Sequence, residues 1–335
     1  MSYIYIAEKS AYSCGIVKVA KKANAIADAH SKEGFMKSVA RKSRMVSAVL
    51  VASVALMQAA PIASASINRQ PSAGVFAKAV SHLDKSSINS GMNILASEIK
   101  TLARENGKEV GVTLINLKTK GFWSLNGNWE TVAASTYKLP LLMDVAQGIT
   151  TGRYNPNSKV CGIPSDVVPP DAYNYVGQCF TLNQLGYMIG HNSDNTAAHM
   201  LTRYIGNYEA LNTYARQHGA QNPQFYWPNN TDSNDLARLW LNEAQGKAGG
   251  SAAQRWLYPK LTHTDFEGGI PAGVPPGAVV VHKVGMLYGE TNDAALVRYK
   301  NISYVLAIVS NGPGGTDWNL LASISRDVWK VMARS

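Results

Sequence analysis

Cysteine is scarce in this sequence, which holds three cysteines among its 335 residues, and no spacing typical of a metal site accompanies them. The apolar run at 45–60 is shorter than the roughly 20 residues that a membrane-spanning helix needs. Residues 66–335 also lack a marked excess of charge, with 23 basic and 19 acidic groups. A near-neutral body gives no reason to expect a nucleic-acid partner. We therefore expect no metal, no other cofactor and no nucleic-acid partner.

The positive charge is concentrated in the first 65 residues, which hold nine basic and three acidic groups. From Met36 onward the chain has a basic stretch, then the apolar run, then a small-residue signal that ends at Ala65. That order is typical of a signal peptide. We predict a signal peptide over 36–65 and an exported protein, periplasmic or secreted, over 66–335 with no membrane span. Residues 1–35 are expected to be an extension without a role, and an uncleaved anchor is the alternative.

Cleavage of the signal would remove Cys14 and leave Cys161 and Cys179, with 17 residues between them. An exported protein meets an oxidising environment, in which this pair could form a disulfide. Two buried free thiols would fit the same sequence, so both states remain open.

Hydrophobic periodicity predicts an ordered series of elements between residue 89 and the C-terminus. Strand patterns occur at 109–117, 122–125, 278–281, 293–298 and 303–309. Helical patterns occur at 89–105, 139–148, 182–189, 195–205, 209–218, 235–245, 252–261 and 317–332. Between the second and third helices, residues 155–178 read as a loop rich in proline, glycine and asparagine.

This order predicts an α+β fold in which the early hairpin joins the late strands in one antiparallel sheet. The terminal helices would cover that sheet, and the central helices would form a lobe beside it. The cleft between the lobe and the sheet is the expected site.

Three short motifs lie on the elements that surround this cleft. Ser135 and Lys138 are three residues apart at the front of a helix, in the string AASTYKLPLL. The string SDN at 193–195 lies between two predicted helices, and KVG at 283–285 lies at the end of a predicted strand. Each motif alone is common, but their fixed order on suitable elements favours one serine site.

The three motifs and their flanking segments, SDNTAAHML and GETNDAALV among them, resemble the class A β-lactamase family of penicillin-recognising serine hydrolases. The resemblance covers the chain from about residue 89 to the C-terminus. It implies a five-stranded antiparallel sheet flanked by terminal helices, together with a helical lobe.

The resemblance also implies roles for single residues. Ser135 matches the nucleophile and Lys138 the base that accepts its proton. Ser193 would pass a proton to the leaving nitrogen, Asn195 would hold an amide carbonyl of the substrate, and Lys283 would supply positive charge.

Gly285 and Met286 match the strand segment that binds substrate, with an oxyanion donor near Met286 beside the backbone N–H of Ser135. The residue chemistry favours structural roles for two neighbours of the motifs. Asp194 is expected to cap a helix, and His282 is expected to be a core residue of its strand.

Two positions depart from the family pattern. The family's deacylating glutamate should fall within 219–231, yet this segment contains no Glu or Asp. Asp232 and Asp235, just beyond it, are typical of a helix start. Val284 stands where the family usually has Thr or Ser, which removes a hydrogen-bond donor for a substrate carboxylate.

Three functions fit these observations. The first is a monomeric serine hydrolase that is acylated at Ser135 by a β-lactam or related amide and deacylates slowly or unconventionally. The second is a penicillin-binding or peptidase-like protein that acts on cell-wall peptide or is acylated without efficient turnover. The third is a binding module that uses the same fold without catalysis.

Overall fold

The computed structural model describes residues 89–169, 173–226 and 228–334. The extension expected at 1–35, the signal peptide expected at 36–65 and residues 66–88 lie outside the described residues. In the described part of the chain, every helix is too short or too polar to cross a membrane.

The largest element is a five-stranded antiparallel sheet. Its strands are β1 (Glu109–Asn116), β2 (Phe122–Leu125), β7 (Val279–Leu287), β8 (Glu290–Tyr299) and β9 (Ile302–Asn311). Their order across the sheet is β2-β1-β9-β8-β7. This confirms the predicted sheet and the hairpin at its start. Strands β7 and β8 are longer than predicted. Strand β8 begins at Glu290 rather than at residue 293, and β7 continues past residue 281 and holds Lys283 in its middle rather than at its end.

Two terminal helices, α1 (Asn89–Glu105) and α8 (Trp318–Met332), pack on one face of the sheet. The predicted bounds of α1 are confirmed. Its buried residues Leu95 and Ile99 are four positions apart, so they lie on one helical face and meet the sheet together.

The other face of the sheet carries the helical lobe, which contains α2 (Lys138–Thr150), α3 (Leu182–His191), α4 (Asn195–Ile205), α5 (Tyr208–Gln217), α6 (Ser233–Ala244) and α7 (Gly250–Leu257). Helix α2 is buried along most of its length and contacts α3, α4, α5 and α7. Helix α7 ends earlier than predicted, since a 3₁₀ turn that contains Pro259 follows it.

Strand β9 belongs to the cores on both faces of the sheet. Because successive side chains of a strand point to opposite faces, alternate residues enter different clusters. Those facing the terminal helices are Tyr304, Leu306 and Ile308, and those facing the helical lobe are Val305, Ala307 and Val309.

The segment predicted as a loop at 155–178 is held near both ends by a short hairpin and a disulfide. Strands β4 (Lys159–Cys161) and β5 (Cys179–Thr181) form a short hairpin, in which Cys161 lies opposite Cys179. These two cysteines form a disulfide, which decides between the two states left open. Arg203 of α4 holds the same segment, since it binds the carboxylate of Asp166 and donates 2.8 Å to the carbonyl of Cys161.

Candidate active site

Ser135 lies in a 3₁₀ turn, Ala134–Tyr137, that joins β3 (Thr131–Val132) to α2; we call it the serine turn. The serine therefore precedes the α-helix instead of opening it. Ala134 has a positive φ of 47°, a conformation that costs a non-glycine residue free energy. Two hydrogen bonds hold the turn. Thr136 Oγ1 donates to Ala133 O at 2.6 Å, and Asn229 Nδ2 donates to Ala134 O at 3.2 Å.

Lys138 is fully buried, with 0% of its surface exposed, so it is not an ordinary surface lysine. Its Nζ lies 3.0 Å from Ser135 Oγ, as the spacing of the two residues predicted. The same amine lies 2.6 Å from Ser193 O and 2.5 Å from Asn195 Oδ1. These contacts hold the amine beside the serine oxygen.

The SDN segment connects α3 to α4, where the sequence placed it. Ser193 has a positive φ of 58°, and its Oγ lies 3.4 Å from the amine of Lys138. Asp194 caps α4, since its Oδ1 accepts 2.7 Å from Ala197 N, and its other oxygen accepts from the hydroxyl of Tyr175. The capping prediction for Asp194 is confirmed, and the two neighbours of Asp194 face the lysine.

Lys283 approaches the same serine from the sheet. Its Nζ lies 3.0 Å from Ser193 Oγ and 3.0 Å from Val284 O. Burial lowers the pKa of Lys283 to about 7, although the charge of Asp293 opposes the shift. Ser193 Oγ is thus placed between two buried lysines, and a continuous series of polar atoms runs from Ser135 to Lys283.

Gly285 lets the strand β7 approach the serine turn. A Cβ at this position would lie 2.6 Å from Ala133 O and 3.0 Å from the backbone nitrogen of Thr136. Only glycine leaves room for this contact. The residue that follows, Met286, is half-buried.

His282 lies one residue before Lys283 and is buried away from the serine. Its ring nitrogens lie 2.9 Å from Asp293 Oδ1 and 3.1 Å from Glu267 Oε1. Burial alone would lower the pKa of His282, but the two carboxylates raise it to about 9. The prediction of a core histidine is confirmed, with the addition that it carries a charge at neutral pH.

The segment 219–231, which we call the short loop, has no acidic residue of its own and is held by acids of the next helix. Asp235 accepts hydrogen bonds of 2.7 Å from Gln221 N and 3.0 Å from Asn222 N. Asp232 caps α6 by accepting 2.8 Å from Asp235 N. The helix-start prediction for both acids is confirmed, and both oxygens of Asp235 accept from backbone N–H groups of the short loop.

An aromatic group that the sequence did not predict fills the space between the short loop and the serine turn. Tyr226 of the loop has a positive φ of 83° and stacks on Tyr208, with ring centroids 3.2 Å apart. Its edge also meets Tyr137 of the serine turn and His199 of α4. The one sequence signal for His199 is its position four residues after Asn195, on the same face of α4.

Residues 94–332 match the sequence model of the β-lactamase enzyme family. The β-lactamase PSE-4 of Pseudomonas aeruginosa is 27% identical over 124 residues, which cover 36% of this chain and 43% of that protein. The chain therefore spans less than half of that relative. The β-lactamase CTX-M-97 of Escherichia coli is 26% identical over 62% of this chain and 78% of its own length.

A solved structure agrees in fold. A variant of PBP-A, determined as an acyl-enzyme complex with penicillin G, superposes with a TM-score of 0.66 at 24% identity. The superposition covers 73% of this chain and 98% of PBP-A. At this identity the likeness shows a common fold.

Proposed function

The chain belongs to the β-lactamase enzyme family, in the class A, penicillin-recognising group, and on this premise we propose that Ser135 is acylated by β-lactams. The observation that carries the proposal is the series of contacts from Ser135 Oγ to Lys138 Nζ, Ser193 Oγ and Lys283 Nζ, at 3.0, 3.4 and 3.0 Å. A nucleophile needs a base within hydrogen-bond reach, and a leaving nitrogen needs a proton source on the other side.

In the proposed acylation, neutral Lys138 accepts the hydroxyl proton of Ser135 while Oγ bonds to the carbonyl carbon of the lactam. The oxyanion would be held by the backbone N–H groups of Ser135 and Met286. Collapse breaks the carbon–nitrogen bond, and the nitrogen takes a proton from Ser193, which is replenished from the lysines. Removal of one oxyanion donor typically costs about 2.7–4 kcal/mol of activation free energy.

The remaining residues of the site would bind substrate. The 2.5 Å contact to Lys138 uses only the oxygen of Asn195, and among the described residues no hydrogen bond uses its amide nitrogen, which would receive a substrate carbonyl. Lys283 and the strand backbone at Gly285 would attract and align the substrate carboxylate. Val284 offers no hydroxyl there, so we expect weaker binding of that carboxylate than a threonine would give.

Deacylation is the step for which the chain lacks the family's usual acid. The short loop supplies no carboxylate, and the nearby Asp235 binds backbone N–H groups of that loop. This favours slow or unconventional release of the acyl group. It also supports a second candidate, a penicillin-binding or peptidase-like protein in which the adduct persists.

We further propose that the protein acts after export, with residues 66–335 as one hydrolase domain.

Intact-mass spectrometry of the purified protein with excess penicillin G tests the proposal. Ser135→Ala should abolish any adduct, and Ser124→Ala, an exposed serine on strand β2, is the matched control that should retain it. A persistent adduct would support the penicillin-binding candidate. Unmodified protein with consumed penicillin would support a working hydrolase. If penicillin is neither bound nor consumed, acylation by this substrate is refuted.

A further inference from the structure

We propose that His199 is the base that activates water to release the acyl group from Ser135. The inference rests on the proposed acylation of Ser135 and names the residue that takes over the role of the missing acid. Three features of the described residues carry it: the place of His199 on α4, its contact with the short loop, and the absence of a competing partner.

Helix α4 sets the place of His199. Asn195 opens this helix and contacts the Lys138 amine at 2.5 Å. His199 is four residues later, so it lies on the same helical face, about 6 Å further along the axis. The imidazole is therefore one helical turn from the residue that touches the proposed acylation base.

The short loop defines the other side of the imidazole. The ring of His199 meets Tyr226 edge to face, with centroids 5.4 Å apart, and Tyr226 in turn meets Tyr137 of the serine turn at 6.5 Å. His199 thus contacts the short loop, and the short loop contacts the serine turn through Tyr226. The proposal places one water molecule between the imidazole and the acyl group on Ser135, because a general base acts within hydrogen-bond reach or through one water.

The chemical state of His199 suits a base. Burial lowers its pKa, a protonated Lys138 would lower it further, and Asp166 opposes the shift. Asp166 is itself paired with Arg203, at 2.7 Å, which limits its influence. The imidazole is therefore neutral at pH 7. Within the described residues, no hydrogen bond occupies either of its ring nitrogens, so one lone pair is available to a water.

The groups that face His199 come from each element packed against it. They are Lys138 from α2, Asp166 from the 3₁₀ turn Pro164–Asp166, and Tyr226 from the short loop. Of these, Lys138 is the one group that could replace His199 as a base, since Asp166 is held by Arg203.

The proposed step balances. A water O–H proton moves to the free imidazole nitrogen while the water oxygen bonds to the acyl carbon. The tetrahedral intermediate then breaks its bond to Ser135 Oγ, and the imidazolium proton returns to that oxygen through Lys138. The products are the free carboxylic acid of the opened lactam and the unmodified enzyme.

The test separates release from acylation. The protein is acylated with penicillin G and freed of excess drug, and the loss of the adduct is followed by intact mass between about pH 5 and pH 9, a range chosen to bracket the ordinary histidine pKa. We expect His199→Asn and His199→Gln to slow the loss about a hundredfold or more, since general-base catalysis is worth about 10²–10⁴-fold. Their acylation rates should stay close to that of the wild type, which also shows that both variants fold.

His218→Asn is the matched control. His218 is also half-buried with a lowered pKa, but it stacks on Tyr214 at the end of α5. This variant should release the acyl group as the wild type does. The wild-type rate should fall as the pH drops through an apparent pKa below the ordinary 6.5, and this inflection should disappear in the His199 variants. Free imidazole added to His199→Asn should restore part of the rate.

Several results would overturn the inference. Equal release rates in the wild type and the His199 variants would assign the step to Lys138 and leave the acylation of Ser135 intact. A wild-type adduct that persists for hours would show that His199 does not activate water, again without touching acylation. If the wild type forms no adduct and consumes no penicillin, both proposals fail.

Discussion

Replacement of Gly285 by alanine tests how closely the strand β7 must approach the serine turn. The added Cβ would lie 2.6 Å from Ala133 O, whereas ordinary contact begins at 3.4 Å, so strand and turn must part by about 0.8 Å. The nearest obstacles include the backbone atoms Ala133 O and Thr136 N, which cannot rotate away as a side chain would.

The expected loss in activity follows from this displacement. It would separate the N–H of Met286, one residue along the strand, from the N–H of Ser135, and the two would no longer bind one oxyanion. A misplacement of about 1 Å can lower a rate about a hundredfold. We therefore expect Gly285→Ala to acylate about a hundredfold more slowly, with a loss of about 1–3 kcal/mol in unfolding free energy from overpacking.

The assay is the second-order rate of adduct formation with penicillin G, followed by intact mass, with thermal unfolding measured alongside. Gly91→Ala is the control, because a Cβ on Gly91 in helix α1 meets no atom within 4 Å. That variant should acylate at the wild-type rate. A folded Gly285→Ala protein that acylates within about threefold of the wild type would refute the oxyanion reasoning.

The remaining predictions concern charge, substrate binding and the disulfide. The pKa of His282 is raised to about 9 from an ordinary 6.5. The charged histidine therefore contributes its full share of the unfolding free energy below pH 6.5, and this contribution is lost as the pH rises through 9. Denaturant unfolding should show that the excess stability of the wild type over His282→Gln shrinks by about 3 kcal/mol across this window. Val284→Thr should tighten binding of a carboxylate-bearing β-lactam about tenfold, since a hydrogen bond to a charged group contributes about 1.5–3 kcal/mol. The double variant Cys161→Ser with Cys179→Ser should have an unfolding free energy about 3 kcal/mol lower than that of the oxidised protein, as measured by calorimetry. This is the value expected for a disulfide that closes a loop of about this length.

Each of these expectations has a contrary result. Lys283 has a pKa lowered to about 7, so its own contribution to stability grows with pH, and only the difference between wild type and His282→Gln is informative. A difference that stays constant between pH 6.5 and 9 would mean that His282 is neutral in the folded protein. Unchanged binding by Val284→Thr would place the substrate carboxylate elsewhere. Equal stability of the oxidised protein and the double variant would show that the disulfide does not restrain the unfolded chain.

Local pattern was sufficient to predict most of the fold. The apolar spacing of α1 gave its bounds, because a helix that packs on a sheet repeats its buried residues every three to four positions. The motif residues were also predictable, since Ser135 and Lys138 are close in sequence and the positions of Ser193 and Lys283 followed from the resemblance. The sequence analysis expected these residues to share one site, and the contacts from Ser135 to Lys138, Ser193 and Lys283 show that they meet.

Contacts between segments that are distant in the chain could not be predicted from the sequence. Nothing in the residue pattern showed that Tyr226 would stack on Tyr208 or that His199 would meet the short loop, since each contact depends on how separate elements pack. The disulfide could not be decided either, because it required Cys161 and Cys179 to lie opposite each other in a hairpin whose strands are three residues long. The end of β7 was placed too early because the strand continues through the buried Lys283, whose amine is bound by Ser193 Oγ and Val284 O.

Strand β9 is buried on both faces of the sheet, which determines how its backbone becomes exposed to solvent. Tyr304 belongs to one core and Val305 to the other, so this strand cannot leave the sheet without disrupting both. Its backbone amides should therefore exchange with deuterium only when the whole described domain unfolds. By contrast, the edge strand β2 is paired on one side only and should exchange through local fraying. Hydrogen exchange would thus report global stability at β9 without any probe at the serine site.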